Sequence, residues 1–203
     1  MASAKERPQG ITARRPDLRW NHQLPPWIGT TEPMQWFRNS KGLLAGAELL
    51  WYEIDPRSHR GAPSRRQVDL WDPFFLLAGF ALETGLKGLR VRQMIKENRP
   101  RYDTKGSLVS ALATHDVHRL ARDTGVSATL SFNQVELLKR LTIYTQWAGR
   151  YPVERHLTGQ RSPDMLAATD WKDTVAIATR VTEADRALRT ITVASGKRRP
   201  QTK

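Results

Sequence analysis

Helical periodicity constrains this sequence more than any other feature. Apolar residues recur at alternating steps of three and four in four long stretches, the spacing that draws one stripe along an α-helix. No stretch of useful length alternates polar and apolar residues, which is the pattern of a half-buried strand. We therefore predict an all-α fold, an up-down bundle of four long helices plus a short one.

Capping residues and helix breakers give the limits of these elements. The long helices are predicted over 34–54, 72–96, 131–149 and 170–192, and the short helix over 116–125. The signals are first-turn prolines, N-cap residues, a capping box and a C-terminal glycine: Pro33, Asp72 with Pro73, Asp116, Ser131 with Gln134, and Gly125. Residues 57–70 are predicted to be an exposed basic loop. Residues 1–33 are expected to form a mobile arm, 34–192 one domain, and 193–203 a basic disordered tail.

Composition excludes several classes of protein. A chain of 203 residues with 39% hydrophobic content is long enough for one sizeable core. The absence of cysteine excludes disulfides, Cys-ligated metals and thiol catalysis. No run of 18 uncharged residues indicates a transmembrane helix, and the N-terminus lacks the apolar core of a signal peptide. A cytoplasmic location without membrane contact is therefore expected.

A net charge of +13 favours a polyanionic partner, such as nucleic acid or an acidic surface. The positive charge is concentrated near the two termini, in the 57–66 segment and around 87–105, while the rest of the chain is slightly acidic. The predicted RNA-binding residues are Arg57, Arg60, Arg65, Arg66, Lys197, Arg198 and Arg199. Because arginine far outnumbers lysine, a bias in codon usage is an alternative source of part of this charge.

Common catalytic motifs are missing, including the P-loop, the GxSxG elbow and HExxH. His115 and His118 have a spacing that can hold a metal on a helix, but no further ligands are marked. We therefore expect no metal and no other cofactor. The better interpretation is that Asp116 caps the short helix while His115 fills a polar site beside it. Glu83 and Lys87 form an i,i+4 pair in an apolar stretch, for which a weak local ion pair and a functional role are equally plausible.

Arg150 and His156 form the most informative pair, since they lie between two long predicted helices with five residues between them. An imidazole can move a proton, and a guanidinium can hold the charge of a phosphate as it becomes pentacovalent. Such a pair can cleave RNA without a metal when the 2′-hydroxyl attacks the adjacent phosphate. Two copies in a dimer would supply a base, an acid and a cationic clamp.

The order of these elements resembles the HEPN superfamily, the higher eukaryote and prokaryote nucleotide-binding domain. The resemblance covers about Met34 to Ile191 and rests on FFLLAGFALETGLKGLRVRQ in the central helix, THDVHRLARDTG in the short element and the GRYP turn. It implies a helical bundle, often dimeric, that is frequently a metal-independent endoribonuclease in toxin–antitoxin or phage-defence systems. Other members of the superfamily are binding or scaffold modules without catalysis.

The resemblance also implies roles for particular residues. The family signature is an arginine, four to six residues of any kind and a histidine, which Arg150 and His156 match. Glu83, on the second long helix, has the position of a supporting residue, and Tyr151 follows the arginine where a polar residue is common. Because Pro152 interrupts the motif, GRYP is alternatively a structural turn in which Tyr151 packs and Arg150 pairs with a carboxylate. The expected partners are RNA, a second copy of the chain docked through the last two helices, and an antitoxin or other protein.

Overall fold

The computed structural model describes residues 32–55, 62–101, 109–148 and 166–196. Every regular element in these ranges is helical, which confirms the predicted all-α fold. In chain order the helices are α1 (Pro33–Ile54), α2 (Arg65–Asp69), α3 (Trp71–Lys96), α4 (Ser110–Ala113), α5 (Val117–Asp123), α6 (Phe132–Ile143) and α7 (Asp170–Gly196). A 3₁₀ turn (Val126–Thr129) follows α5, and a π-helical turn (Tyr144–Ala148) prolongs α6.

The predicted loop over 57–70 is wrong in its second half, which contains α2. Ser64 Oγ accepts a hydrogen bond from the backbone N of Gln67 at 3.3 Å, and Gln67 Oε1 accepts from the backbone N of Ser64 at 2.8 Å. This capping box satisfies two backbone N–H groups at the start of the helix. The start of α3 is also corrected, because Leu70 is the N-cap and Asp72 lies in the first turn.

Most of the other predicted helix limits are confirmed. Asp116 caps α5, with its Oδ1 accepting from Arg119 N at 2.8 Å. Gly125 ends that element in the left-handed region, at a φ of 79°. Ser131 and Gln134 form the expected capping box of α6. The end of α7 differs, since residues 193–196 continue the helix to Gly196 and do not belong to a tail.

The long helices alternate in direction. Near the start of α1, Ser40 Oγ donates to the carbonyl oxygen of Ala81 at 2.7 Å. Towards the end of α1, the Trp51 ring lies 5.3 Å from the Phe74 ring, so α1 and α3 are antiparallel. On the other side, Arg140 pairs with Asp170 at the start of α7. Gln134, earlier in α6, donates to Asp173 Oδ1 at 3.4 Å, so α6 and α7 are antiparallel as well.

Helix α3 is the centre of the bundle. Fourteen of its 26 residues are buried, and it packs against α1, α5, α6 and α7. Large core side chains from α3 include Phe74, Phe75, Leu82 and Leu86, each of which stabilises the fold by about 1.5–3 kcal/mol on burial. Neither α3 nor any other helix in the described ranges is long and apolar enough to cross a membrane.

Two buried aspartates of α7, Asp170 and Asp185, form ion pairs with arginines of α6 and α3. Asp185 accepts hydrogen bonds from Arg92 of α3 and from Arg189 Nε, the latter at 2.8 Å. Asp170 binds the guanidinium of Arg140 through both of its oxygens and also accepts from the backbone N of Ala167 at 2.8 Å. A bidentate arginine–carboxylate pair fixes orientation as well as distance, so these contacts set the register of α7 on the bundle.

Candidate functional site

Glu83 of α3 is the predicted site residue whose surroundings the structure describes in most detail. Its Oε1 accepts a hydrogen bond from Lys87 Nζ at 2.7 Å. The same carboxylate lies 3.1 Å (Oε1) and 3.2 Å (Oε2) from Nδ1 of His115, which is 32 positions further along the chain. Glu83, Lys87 and His115 are called the Glu83 cluster below.

Burial divides the Glu83 cluster into two parts. The side chains of Glu83 and Lys87 are each 7% exposed, whereas that of His115 is 44% exposed. Lys87 Nζ also lies 6.0 Å from the centroid of the Trp36 ring. Burying a carboxylate alone is costly, and the Lys87 ammonium offsets that cost. The cluster therefore joins a buried ion pair to one imidazole ring that reaches the surface.

The loop between α4 and α5 positions His115. Thr114 Oγ1 accepts from the backbone N of Asp116 at 3.0 Å, and Asp116 in turn caps α5. Two threonine hydroxyls on the next helix hold the same loop from the other side. Thr142 Oγ1 accepts from the backbone N of His118 at 3.1 Å, and Thr145 Oγ1 donates to the carbonyl oxygen of His115 at 2.7 Å. These contacts hold the backbone of His115 and of the residues that follow it.

A close helix contact brings Thr145 to this loop. Thr145 lies in the π-helical turn after α6, and a Cβ added at Gly79 of α3 would be 2.7 Å from its Cγ2. A Cβ at position 79 would therefore clash with the methyl group of Thr145 at this helix separation. The wide π-turn and the missing side chain at Gly79 together place the end of α6 against α3 and the His115 loop. Turns of this type occur frequently at functional sites.

The contact with Glu83 indicates which ring nitrogen of His115 carries the proton. A carboxylate oxygen accepts hydrogen bonds, so we assign Nδ1 of His115 as the donor. A neutral ring with its proton on Nδ1 has a free lone pair on Nε2. A carboxylate in this position fixes both the tautomer and the orientation of the ring, an arrangement also found in the Ser-His-Asp triad. The Glu83 cluster therefore has the composition of a metal-free acid–base site.

The other predicted site residues fall into two groups. Arg150, Tyr151 and His156 lie outside the described residues, as do Arg57, Arg60, Lys197, Arg198 and Arg199. Arg65 and Arg66 lie on α2, and both are exposed. Arg66 NH2 is 3.8 Å from Glu53 Oε2, with the two side chains 82% and 60% exposed. Such a surface pair contributes about 0–1 kcal/mol, so it leaves Arg66 available to a polyanion.

The basic stretch that begins at Lys87 presents less free charge than the sequence suggests. Lys87 is buried against Glu83, and Arg92 pairs with the buried Asp185. Arg90 NH1 hydrogen-bonds to Gln93 Oε1 at 3.2 Å and lies 3.9 Å from Glu97 Oε1. These three cations serve contacts within the bundle. The capacity of this segment to bind phosphates is correspondingly smaller than its charge count implies.

His115 and His118 do not converge on a metal site. Within the described ranges, no group of three or more His, Asp or Glu residues has a geometry that could hold a metal ion. His115 is oriented towards Glu83, while the backbone of His118 is tied to Thr142. The polar site beside the α5 cap that the sequence suggested for His115 is therefore the Glu83 carboxylate.

The contact between Glu83 and His115 is the feature of the candidate site that sequence reasoning missed. The signal available in the sequence was an ionisable i,i+4 pair in the middle of an apolar helix, since charged residues are rarely buried without partners. The identity of the third member depends on the loop between α4 and α5, which no local pattern connects to α3.

A scan against protein-family models and searches of curated proteins and of solved structures gave no match.

Proposed function

We propose that this protein is a HEPN-like endoribonuclease that cleaves RNA without a metal ion. The observation that supports the proposal is the Glu83–His115 contact, a buried carboxylate 3.1 Å from the Nδ1 of a surface-accessible imidazole. The net charge of +13 provides the attraction for a polyanionic substrate. A role as a toxin or phage-defence effector belongs to the same proposal, through the resemblance alone.

The proposed reaction needs three kinds of group. A base removes the proton from the 2′-hydroxyl, the 2′-oxygen attacks the adjacent phosphorus, and an acid protonates the departing 5′-oxygen. The products are a 2′,3′-cyclic phosphate and a 5′-hydroxyl end. We assign Arg150 as the phosphate clamp and His156 as one acid–base group. His115, oriented by Glu83, is the second candidate for proton transfer.

Chain connectivity is compatible with a joint site. Thr145, which holds the carbonyl oxygen of His115, is five residues before Arg150 in the sequence. We propose that Arg150 and the Glu83 cluster serve the same site. We propose a homodimer in which the last two helices meet, so that two copies of each group serve one RNA.

The alternative is a nucleic-acid- or partner-binding module without catalysis. The observation in its favour is that Lys87 already pairs with the Glu83 carboxylate, so a buried ion pair accounts for Glu83 whether or not chemistry occurs. The two functions differ in the fate of RNA. A binding module changes the mobility of a labelled RNA and leaves its length unchanged, while a ribonuclease shortens it.

The test is cleavage of a labelled, sequence-diverse RNA pool in EDTA by four single variants. We expect His115→Ala, Arg150→Ala and His156→Ala each to lower the rate by about 100-fold or more, the usual contribution of an acid–base or charge-stabilising group. His118→Ala is the matched control, since it removes an imidazole three residues away that does not contact Glu83. Equal loss in His115→Ala and His118→Ala would contradict the role assigned to His115. Uncleaved RNA with the folded wild-type dimer would contradict the ribonuclease itself.

A further inference from the structure

A groove runs between α1 and α7, with α3 as its floor. Its volume is about 570 Å³. It extends from Met34 to Leu44 on α1 and from Val175 to Arg189 on α7. At a rise of 1.5 Å per residue these stretches measure roughly 15 and 20 Å, the length of about 10–14 residues of a further helix.

The floor of the groove is apolar and its rim is basic. Apolar lining residues come from all three helices, among them Phe37, Leu44, Leu82, Val175 and Val181. Val175, on α7, and Met34, at the N-terminal end of α1, are exposed large hydrophobic side chains at 38% and 51%. An apolar strip bordered by charged residues is the arrangement that accepts the apolar face of an amphipathic helix.

The acidic residues of the groove are neutralised by the protein itself, whereas several cations are not. Glu183 pairs with Arg180 at 3.1 Å, and Asp185 pairs with Arg92 and Arg189. By contrast, Arg38, Lys41 and Arg186 are exposed and make no side-chain hydrogen bond or ion pair within the described part of the chain. These three, which lie on both banks of the groove, are called the rim cations below.

Charge selects among the possible occupants. The residues before α1 carry more basic than acidic side chains, and a second copy of this chain is basic as well, so neither has the charge that complements the rim cations of this groove. Single-stranded RNA has the correct sign, but it binds by stacking its bases on aromatic rings, and among the described residues only Phe37 lines the groove with an aromatic ring. An acidic helix with one apolar face satisfies both the floor and the rim.

We infer that the groove between α1 and α7 is a docking site for an acidic amphipathic helix of a partner protein. The apolar face of the partner helix would cover the floor of the groove. Carboxylates on either side of that face would pair with Arg38 and Lys41 on one bank and with Arg186 on the other. This arrangement follows the helix-in-groove mode, in which apolar residues at i, i+3, i+4 and i+7 supply the anchors. Pairing of these carboxylates with cations on both rims would fix the register of the helix.

The groove is separate from the Glu83 cluster. Ala81 and Gly85 line the groove, and each is two residues from Glu83 on α3. Two positions along an α-helix correspond to a rotation of about 200°, so the groove and Glu83 lie on opposite sides of α3. The docking site therefore stands without the proposed ribonuclease activity, and failure of one leaves the other intact.

The test uses the full-length protein and a fluorescein-labelled synthetic peptide of about 14 residues, with leucines along one face and glutamates on both flanks. Fluorescence anisotropy at low salt measures its binding. We expect saturable binding that weakens as salt is added, since exposed charges are screened. A second peptide with lysine in place of every glutamate should bind about tenfold or more weakly.

Two matched pairs of substitutions locate the site. Arg38→Glu with Arg186→Glu should weaken binding of the acidic peptide about tenfold or more. The control, Arg122→Glu with Lys172→Glu, makes the same change in net charge at exposed residues outside the groove and should change affinity by less than about twofold. Circular dichroism verifies folding, and the neutral pair Arg38→Gln with Arg186→Gln serves if the reversed pair unfolds.

Three results would overturn the inference: no binding of the acidic peptide, equal binding of the lysine peptide, or equal effects of the groove pair and the control pair. A fourth concerns RNA. If single-stranded RNA displaces the peptide and loses affinity on Arg38→Glu with Arg186→Glu to the same extent, the groove is a nucleic-acid surface and not a protein-docking site. RNA affinity that is equal in the groove pair and the control pair supports the helix.

Discussion

Removal of the Glu83 charge tests whether burial makes the Glu83–Lys87 pair different from an ordinary helix-surface ion pair. Glu83→Gln keeps the shape of the side chain and leaves the Lys87 ammonium, which is 7% exposed, without its counter-charge. Breaking a buried ion pair by removing one partner costs about 3–5 kcal/mol. For a domain of this size each kcal/mol lowers Tm by about 2–4 °C, so Glu83→Gln should lower Tm by roughly 6–20 °C.

The chain contains a matched control for this substitution. Glu136 and Lys139 on α6 form an ion pair of 2.6 Å, almost the same length as the 2.7 Å of the Glu83–Lys87 pair, but their side chains are 42% and 51% exposed. Glu136→Gln should therefore cost less than about 1 kcal/mol. The difference between the two variants reports the burial of the Glu83–Lys87 pair together with the contact of Glu83 with His115, because the charges and the distance of the two ion pairs are shared.

A double variant tests the effect of removing both charges. Glu83→Leu with Lys87→Met replaces the ion pair by apolar side chains, and a well-packed replacement of a buried pair is often neutral or stabilising. It should therefore recover most of the stability that Glu83→Gln loses. Urea unfolding followed by circular dichroism, with linear extrapolation to water, measures all three free energies. Costs for Glu83→Gln and Glu136→Gln that agree within about 0.5 kcal/mol would refute the reasoning.

Further predictions concern packing, capping, charge and assembly. Gly79→Ala should destabilise the protein by about 1–3 kcal/mol, because its Cβ would be 2.7 Å from Thr145 Cγ2. Gly42→Ala, whose Cβ would have no atom within 4 Å, should stabilise α1 by about 0.5–1 kcal/mol. A higher Tm for Gly79→Ala than for Gly42→Ala would contradict the close contact at Gly79. Asp116→Ala should lower the free energy of unfolding by about 0.5–2 kcal/mol through loss of the α5 cap. It should also make the loop that carries His115 more mobile, which faster amide exchange in the 114–118 segment would show. RNA affinity should fall steeply with salt, and deletion of residues 197–203 should reduce the slope without loss of helix content; a slope unchanged by the deletion would show that this segment contacts no phosphate. Light scattering at tens of micromolar should give the mass of a dimer, and a monomer there would remove the support for a shared site.

The sequence was sufficient to predict the helices that have a long periodic apolar pattern or a capping residue. Periodic apolar positions and caps at Asp116 and Ser131 identified the short helix and α6, and α1 and α3 follow the predicted stretches closely. The five residues of α2 are too few for a periodic pattern, so the basic composition of the segment concealed the Ser64–Gln67 capping box. Asp72 and Pro73 resembled a helix start, but the chain is already helical at Trp71.

The candidate site was less predictable because it depends on contacts distant in sequence. The i,i+4 spacing of Glu83 and Lys87 was visible, but the burial of both side chains follows from the packing of α1, α5, α6 and α7 around α3. The loop that carries His115 is hydrogen-bonded to Thr145, which packs against Gly79 of α3, and no local pattern links either residue to Glu83. Arg150 and His156 lie outside the described residues, so their part in the site stays a prediction.

The most direct test of the central claim compares two substrates under metal-free conditions. An end-labelled RNA and the same RNA carrying 2′-deoxyribose at the mapped cleavage position are each incubated with the wild-type protein in EDTA. Because the 2′-oxygen is the proposed nucleophile, we predict that the all-ribose strand yields a 2′,3′-cyclic phosphate and a 5′-hydroxyl, while the deoxy-substituted strand stays intact at that position. Cleavage of both strands at equal rates, or cleavage that requires an added divalent ion, would contradict the account.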